Sequence, residues 1–400
     1  MDWTVYSNVG GQINAGCHTG RIDLKEIKRR TVLGTLASTL AVPAFAQKLP
    51  SSSVWTAYDL GSSGYVEASA IAEALMKTGD IRVRIVPSGT SIGRMLPLKQ
   101  GRAAYGYLAN ELYFATEGLY DFAATAWGPQ DARIVLGRPA SNGLAMAGDT
   151  GVTRMSDIKG KRIGYVKGNP SVNVKNEAYV AFAGLTEKDI EQVWFGSYNA
   201  MKTAVINNQL DGFSSVTMSA NMREIEASPR GLTWPPFPAE DTEAWARMNR
   251  VLDFLEPRRE TMGAAVPPGG VALIGLRYPM ITTYQSTSAD EVYAMCSAIE
   301  ANMDAIRAAT GTGDLWHPKQ SGLPRGDAPW HEGTIRYMKD KGWWTDDAQT
   351  WQDARLARLK LLLAAWPKAQ EEFKKAGKGS SDEAWEAFWL DYRTKALASA

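Results

Sequence analysis

Histidine and cysteine are the scarce residues of this 400-residue chain, with three of the first and two of the second. Of the histidines, His317 and His331 fall in the body of the chain, and their separation is not the H-x-x-x-H spacing that puts two ligands on one helix face. With one cysteine, Cys296, they cannot close the usual zinc site, so no metal is expected, and no cofactor. Cys17 lies in a segment set aside below, which leaves Cys296 alone and excludes an intrachain disulfide. In "ADEVYAMCSAIEANM" it reads as a buried, inert thiol, with a reactive thiol as the lesser alternative. Excess charge is missing too. With 44 Lys+Arg against 43 Asp+Glu, nothing draws the chain to nucleic acid or an anionic membrane surface. A Walker motif is absent, and "GYVKGNPSVN" is not a dinucleotide fingerprint.

What is present begins with an address. Lys28-Arg29-Arg30 precede the apolar run "TVLGTLASTLAV" and then "PAFAQ", whose Ala44-Phe45-Ala46 fits the small-x-small cleavage rule. The run is short for a membrane anchor. Residues 1–46 are therefore expected to be a signal peptide with an over-long start, upstream of a chain beginning near Gln47. Arg29-Arg30 with Leu33 resembles a twin-arginine signal, and both Tat and Sec export stay open. The expected location is the periplasm.

From Val54 onward, short apolar runs alternate with helical patterns. Strands are predicted at Val54–Tyr58, Arg82–Val86 and Ala104–Leu108, with helices from Tyr65 to Lys77 and from Ser91 to about Gln100. After "ARIVLGRPA" and "GLAMAGDTG" the rhythm restarts with strands at Arg162–Val166, Val193–Phe195 and Gly212–Val216, and a helix at Ala200–Asn207. This is βαβαβ twice over, so the fold class is α/β with two lobes. "WPPFPAED" and "VPPGG" then punctuate the chain before the strand-like "VALIGLRYPMIT" and a long helix Ala289–Ala309, which suits a return to the first lobe. The expected division is 47–147 for the first part of lobe 1, 148–268 for lobe 2, 269–345 for the return, and 346–400 for a helical extension. In that extension Trp385, Phe388, Trp389 and Tyr392 share one helix face. Docking of that face onto the chain's own core is the favoured expectation; contact with a second protein is the alternative.

Three strand-to-helix loops, "LGSSGY", "PSGTSIG" and "KGNPSVN", carry Gly, Ser, Thr and Asn at the place where open α/β sheets bind ligands. Ordinary helix capping uses the same residue types and explains any one of them. Their repetition favours a shared anionic ligand, because helix N-termini present free N–H groups and partial positive charge. Gly89-Thr90-Ser91-Ile92-Gly93 also matches G-x-S-x-G, the nucleophile elbow of α/β-hydrolases, with His317 and His331 downstream as candidate bases. Against a secreted serine hydrolase acting through Ser91 stand the single βαβ unit before it and the lack of an HGGG-type segment.

The GSSGY loop, "VPSGTSIGRMLPLKQGRAAYGYL", "DIKGKRIGYVKGNPS", "NQLDGF" and "WHEGTIRYMKDKGWW" stand in an order and spacing that, from Val54 to Trp344, resembles the TAXI-type solute-binding proteins of TRAP transporters. The resemblance implies a periplasmic receptor of two-lobed, type II-like binding-protein fold and no enzyme activity. Such a receptor closes on a small organic acid, glutamate or a related dicarboxylate, and delivers it to an ion-driven membrane permease. It implies ligand contacts at Ser63, Gly64, Tyr65, Thr90, Ser91 and Asn110 in the first lobe, and at Ser171, Asn173 and Thr217 in the second. This chain departs from the family's pattern at Asn169-Pro170-Ser171-Val172-Asn173, where Gly-Ser-Gly-Thr is commoner, and at Trp330-His331-Glu332-Gly333, where His-Pro-Gly is commoner.

Overall fold

The structure, a computed structural model, describes residues 49–398 apart from residue 80, residues 324–325 and residues 378–380. The expected export segment, with Cys17, lies outside the described residues.

Ten strands form one sheet: β1 (Ser52–Ala57), β2 (Arg82–Pro87), β3 (Tyr105–Leu108), β4 (Ala132–Ala147), β5 (Arg162–Val166), β6 (Glu191–Phe195), β7 (Gly212–Val216), β8 (Leu232–Thr233), β9 (Glu256–Glu260) and β10 (Val271–Tyr284). Their order is β2-β1-β3-β10-β4-β7-β5-β6, with β8 beside β4 and β9 beside β10. One parallel trio, β2-β1-β3, and a second, β7-β5-β6, flank two long antiparallel strands. β3 and β7 are buried along their whole length, as parallel strands covered on both faces must be. The α/β class and the C-terminal helical extension expected from the sequence are both present.

The runs "ARIVLGRPA" and "GLAMAGDTG" merge into β4, which passes from the first trio to the second without a break. β10 makes the return passage, and its ladder with β4 shifts register between Arg277 and Met280 and again between Ile281 and Thr282. The predicted domain boundaries at 147/148 and 268/269 therefore fall at the ends of these two strands. One element differs from expectation. The helix over 289–309 is two helices, Ala289–Ala301 and Met303–Ala309. At the break, Asn302 Nδ2 donates to Ala298 O (2.8 Å) and Asn302 Oδ1 accepts from Thr78 Oγ1 (2.6 Å); an Asn side chain that bonds the backbone competes with the helix ladder.

Cys296 is buried, and burial pushes its thiol up to about 12, which makes it inert. The extension is the helix Asp346–Lys375 followed by Asp382–Ala398. Trp385 and Trp389 are buried, their indole N–H groups donating to Ala123 O (2.8 Å) and Gly118 O (2.6 Å), while Arg358 and Arg393 both hold Glu117. The aromatic face is thus spent on the chain's own body.

Candidate functional site

Helices α1 (Ser63–Gly79), α2 (Ser91–Lys99), α3 (Glu111–Glu117), α4 (Pro170–Phe182) and α5 (Tyr198–Ile206) start from loops that follow the trios' strands. Loops of one trio touch loops of the other. Ile92 N donates to Gly168 O (3.3 Å), Asn169 Nδ2 to Gly89 O (3.1 Å), Asn199 Nδ2 to Leu60 O (3.0 Å) and Ser219 Oγ to Gly61 O (3.3 Å). Glycine is required at two of these contacts. A Cβ on Gly89 would sit 2.5 Å from Asp59 Oδ2 and 2.9 Å from Ser197 Cβ, and Gly61, at φ +80, lies against Asn221. The glycines beside the serines of "LGSSGY" therefore serve close approach: Gly61 meets the opposite loop, and a Cβ on Gly64 would come 3.0 Å from the Tyr278 hydroxyl.

Beneath these contacts lies a cavity of about 30 Å3 lined by Asn110, Asn142, Lys175, Tyr198, Ser215 and Tyr278 among others, room for a water or two. Lys175 lines this cavity and Arg94 lies behind its Tyr58 wall, the two cations in different conditions. Arg94, fully buried, donates through Nε to Glu111 Oε1 (2.7 Å), through Nη1 to Ser88 O (3.0 Å) and through Nη2 to Ser91 Oγ (3.3 Å), and its guanidinium lies 3.2 Å from the centre of the Tyr58 ring. Burial works against its charge, but Glu111 together with Tyr58 and Tyr278 outweighs that and holds the group above its ordinary range. Lys175 has no such partner. Its ammonium donates to Asn110 Oδ1 (2.7 Å) and Ser171 Oγ (3.2 Å), which leaves one of its three N–H groups uncommitted. No carboxylate forms an ion pair with it among the described residues, and burial pulls it down to about 8, with Glu111 and Asp327 at a distance resisting. Behind it Asn110 Nδ2 donates to Asp327, whose carboxyl burial pushes up to about 7.

A second small cavity, about 80 Å3, adjoins the end of β7 and includes Arg138, Ser141, Thr217 and Thr312 in its lining. Arg138 is tied to Glu67. Ser141 Oγ and Thr217 Oγ1 are buried with no partner, the condition that polar atoms of a folded chain avoid unless something else satisfies them.

The structure brings Ser91, Asn110 and Ser171 into the Arg94 and Lys175 network and puts Thr217 in the adjoining cavity. Ser63 and Gly64 pack against Tyr278, the Ser63 hydroxyl facing the Tyr278 hydroxyl. Three other expected contacts lie elsewhere. Thr90 caps α2, accepting from Gly93 N (3.0 Å). Asn173 accepts from Val166 N and donates to Val166 O, both at 2.9 Å, and so closes its own loop. Tyr65 packs on the core cluster of Trp55 and Tyr105. Lys175, Asn142, Ser141 and Glu111 were absent from the sequence reading. Lys175 had a signal: four residues after Ser171 and four before Tyr179, it lies on the buried stripe of α4, where an unexplained lysine is costly.

Ser91 Oγ donates to Asn169 Oδ1 (2.8 Å), and neither described histidine hydrogen-bonds to it. His317 Nδ1 and His331 Nδ1 accept from Lys319 N and Gly333 N at the starts of other helices. Among the described residues there is no metal-binding cluster of His, Cys, Asp and Glu, and no helix long and apolar enough to cross a membrane.

The profile of the NMT1-like family matches residues 60–342. No curated protein matches the chain. Among solved structures, similar ones include a protein of Bordetella bronchiseptica RB50 (16% identity, TM-score 0.43, covering 76% of this chain and 92% of that one). The periplasmic aliphatic sulphonate binding protein of Escherichia coli is another (13%, 0.40, 72% and 79%). A third is a periplasmic binding protein of an ABC transporter from Brucella ovis, solved with glutathione bound (12%, 0.41, 68% and 74%).

Proposed function

From the chain's place in the NMT1-like family, to which it belongs over residues 60–342, we propose that the protein is a solute-binding receptor of an import system, closing two lobes on a small organic acid. One observation carries the charge of the ligand: Lys175 is fully buried beside a polar cavity, with a free N–H and no carboxylate bonded to it. A buried cation of that kind is stabilised by an anion brought from outside. Ser91, Asn110 and Ser171 hold the lysine and its surroundings, and the unpartnered hydroxyls of Ser141 and Thr217 are further donors.

In this reading each parallel trio with its helices is one lobe. Closure of the loops over the cavity excludes water and strengthens every contact within. We assign the receptor to the TAXI type, with a glutamate-like or dicarboxylate ligand, delivery to a TRAP membrane permease, a periplasmic location and no catalytic step. Against the hydrolase alternative, Ser91 donates its hydroxyl proton to Asn169 and not to a histidine.

The test is thermal unfolding of the exported chain with dicarboxylates, acidic and neutral amino acids, aromatic acids and sugars, run beside Lys175→Met. A ligand at a hundred times its dissociation constant adds about 2.7 kcal/mol, a shift of a few degrees for a chain of this size. The expected result is a shift with one class of carboxylate that the variant loses. Shifts with neutral sugars alone, or shifts that Lys175→Met leaves intact, would overturn the proposal.

A further inference from the structure

A roomier cavity lies elsewhere, where the lead-in to β9 and the middle of β10 face the helix Asp346–Lys375. It measures about 590 Å3 and is lined in part by Arg258, Arg277, Arg355, Phe254, Trp351 and Asp327, within the range of small-molecule sites. Elsewhere in the described body, buried guanidinia sit on carboxylates: Arg94 on Glu111, Arg138 on Glu67, Arg230 on Asp149 and Asp211. None of the cavity's three arginines forms an ion pair among the described residues. Arg277 donates only to main-chain carbonyls, Gly137 O (3.0 Å) and Gln320 O (2.6 Å). Arg355 donates to Asp327 O (2.9 Å), and Arg258 Nε is buried without a partner. A guanidinium carries five N–H donors, so several stay unused around one space. Burial draws Arg277 down to about 10.

Three carboxyl groups share the lining and set limits on the occupant. Asp253 and Glu256 are exposed at the rim, and Asp327 is buried with its carboxyl pushed up to about 7. Trp351 and Phe254 add flat apolar faces, and the Arg355 guanidinium lies 5.9 Å from the centre of the Trp351 ring. Planar guanidinia match carboxylates edge to edge and stack on aromatic rings.

We infer that this cavity is a second ligand site, adjoining the cleft through Leu276 and Arg258, that takes a flat organic dianion such as an aromatic dicarboxylate. It goes beyond the receptor reading and stands without it. Leu276 lines this cavity and the central one alike, while Arg277 lines only this one and Tyr278 only the central one.

The experiment is calorimetric titration of the full chain with isophthalate, with the uncharged isophthalamide as control. The parent, Lys175→Met, Arg258→Gln and the double variant Arg277→Gln/Arg355→Gln are compared. Lys175→Met is expected to keep one saturable isophthalate site. Arg258→Gln weakens that site about tenfold, the equivalent of one charged hydrogen bond, and the double variant abolishes it; isophthalamide does not bind. If the double variant does not fold, the single variant Arg355→Gln decides, because Arg355 lines this cavity and neither of the other two described above. The inference is overturned by unaltered affinity in Arg258→Gln, by equal binding of the diamide, by loss of the site in Lys175→Met, or by no saturable binding at millimolar isophthalate.

Discussion

The loops that start the helices and the residues around the two small cavities use polar side chains in opposite ways. In the loops, Thr90 caps α2, Asn173 bonds both polar atoms of Val166, and Asn169 spans to Gly89. Every one of these donors and acceptors is consumed by the protein. Around the cavities, Ser141 and Thr217 leave hydroxyls without partners, and Lys175 reaches in with an uncommitted N–H. Residue type alone does not distinguish the two regions, since Ser, Thr and Asn fill both. What separates them is whether the local backbone satisfies the side chain: at these capped helix starts it does, and at Ser141 inside β4 and Thr217 just past the end of β7 it does not.

The largest effect that sharpens this contrast is on stability. Glu111→Gln leaves Arg94 buried and uncompensated, and should cost about 3–5 kcal/mol in chemical denaturation; a loss below about 1 kcal/mol would mean that Arg94 is already solvated. Next comes Lys175→Met, expected to weaken the carboxylate ligand about a hundredfold by calorimetry, the upper end for a hydrogen bond to a charged group. Retained affinity would place the ligand elsewhere.

The lysine also sets a pH dependence. Burial holds it at about 8, so an anion meets an ammonium below that value and an amine above it. The dissociation constant should be flat up to about pH 8 and rise by up to about tenfold per pH unit beyond. In the free chain the sign follows from proton counting. The unfolded lysine keeps its proton to about 10.4 while the folded one loses it near 8, so unfolding takes up a proton between these values and stability rises with pH across that window. Glu111 and Asp327, which favour the ammonium, and Arg94, which opposes it, are the charges that act on Lys175. An affinity profile that does not change from pH 7 to 9.5 would remove Lys175 from the site.

The smallest effects belong to the loops and the cavity hydroxyls. Thr217→Val should weaken the ligand about tenfold while barely changing stability, because it removes an unpartnered group. Thr90→Ala should do the reverse: about 1 kcal/mol of stability lost with the cap, and ligand affinity within about twofold of the parent. A Thr90→Ala variant that loses binding instead would erase the distinction between loop and cavity.

Much of the fold was legible in the sequence. The strands Arg162–Val166 and Gly212–Val216 were located to the residue, and the helix starting at Ser91 was read from its Gly and Ser. The site was legible by position but not by role. Ser91, Asn110 and Ser171 belong to the network, yet the charge they surround comes from the interior of α4, where Lys175 looks like one more helical lysine. The Arg94 and Glu111 pair joins the first turn of α2 to that of α3, a contact that only the ordering of β1, β2 and β3 creates. Ser141 and Asn142 sit inside a strand that reads as apolar.

β4 and β10 tie the two parallel trios into one sheet, and that bears on time as well as shape. Chain segments that cross in loops can swing by rotating a few bonds. Two hydrogen-bonded strands must flex together, and the irregular register around Arg277 and Met280 is where such a ladder yields most readily. For the proposed receptor, a stiffer pair of strands should lengthen the time a captured solute stays bound and slow its release.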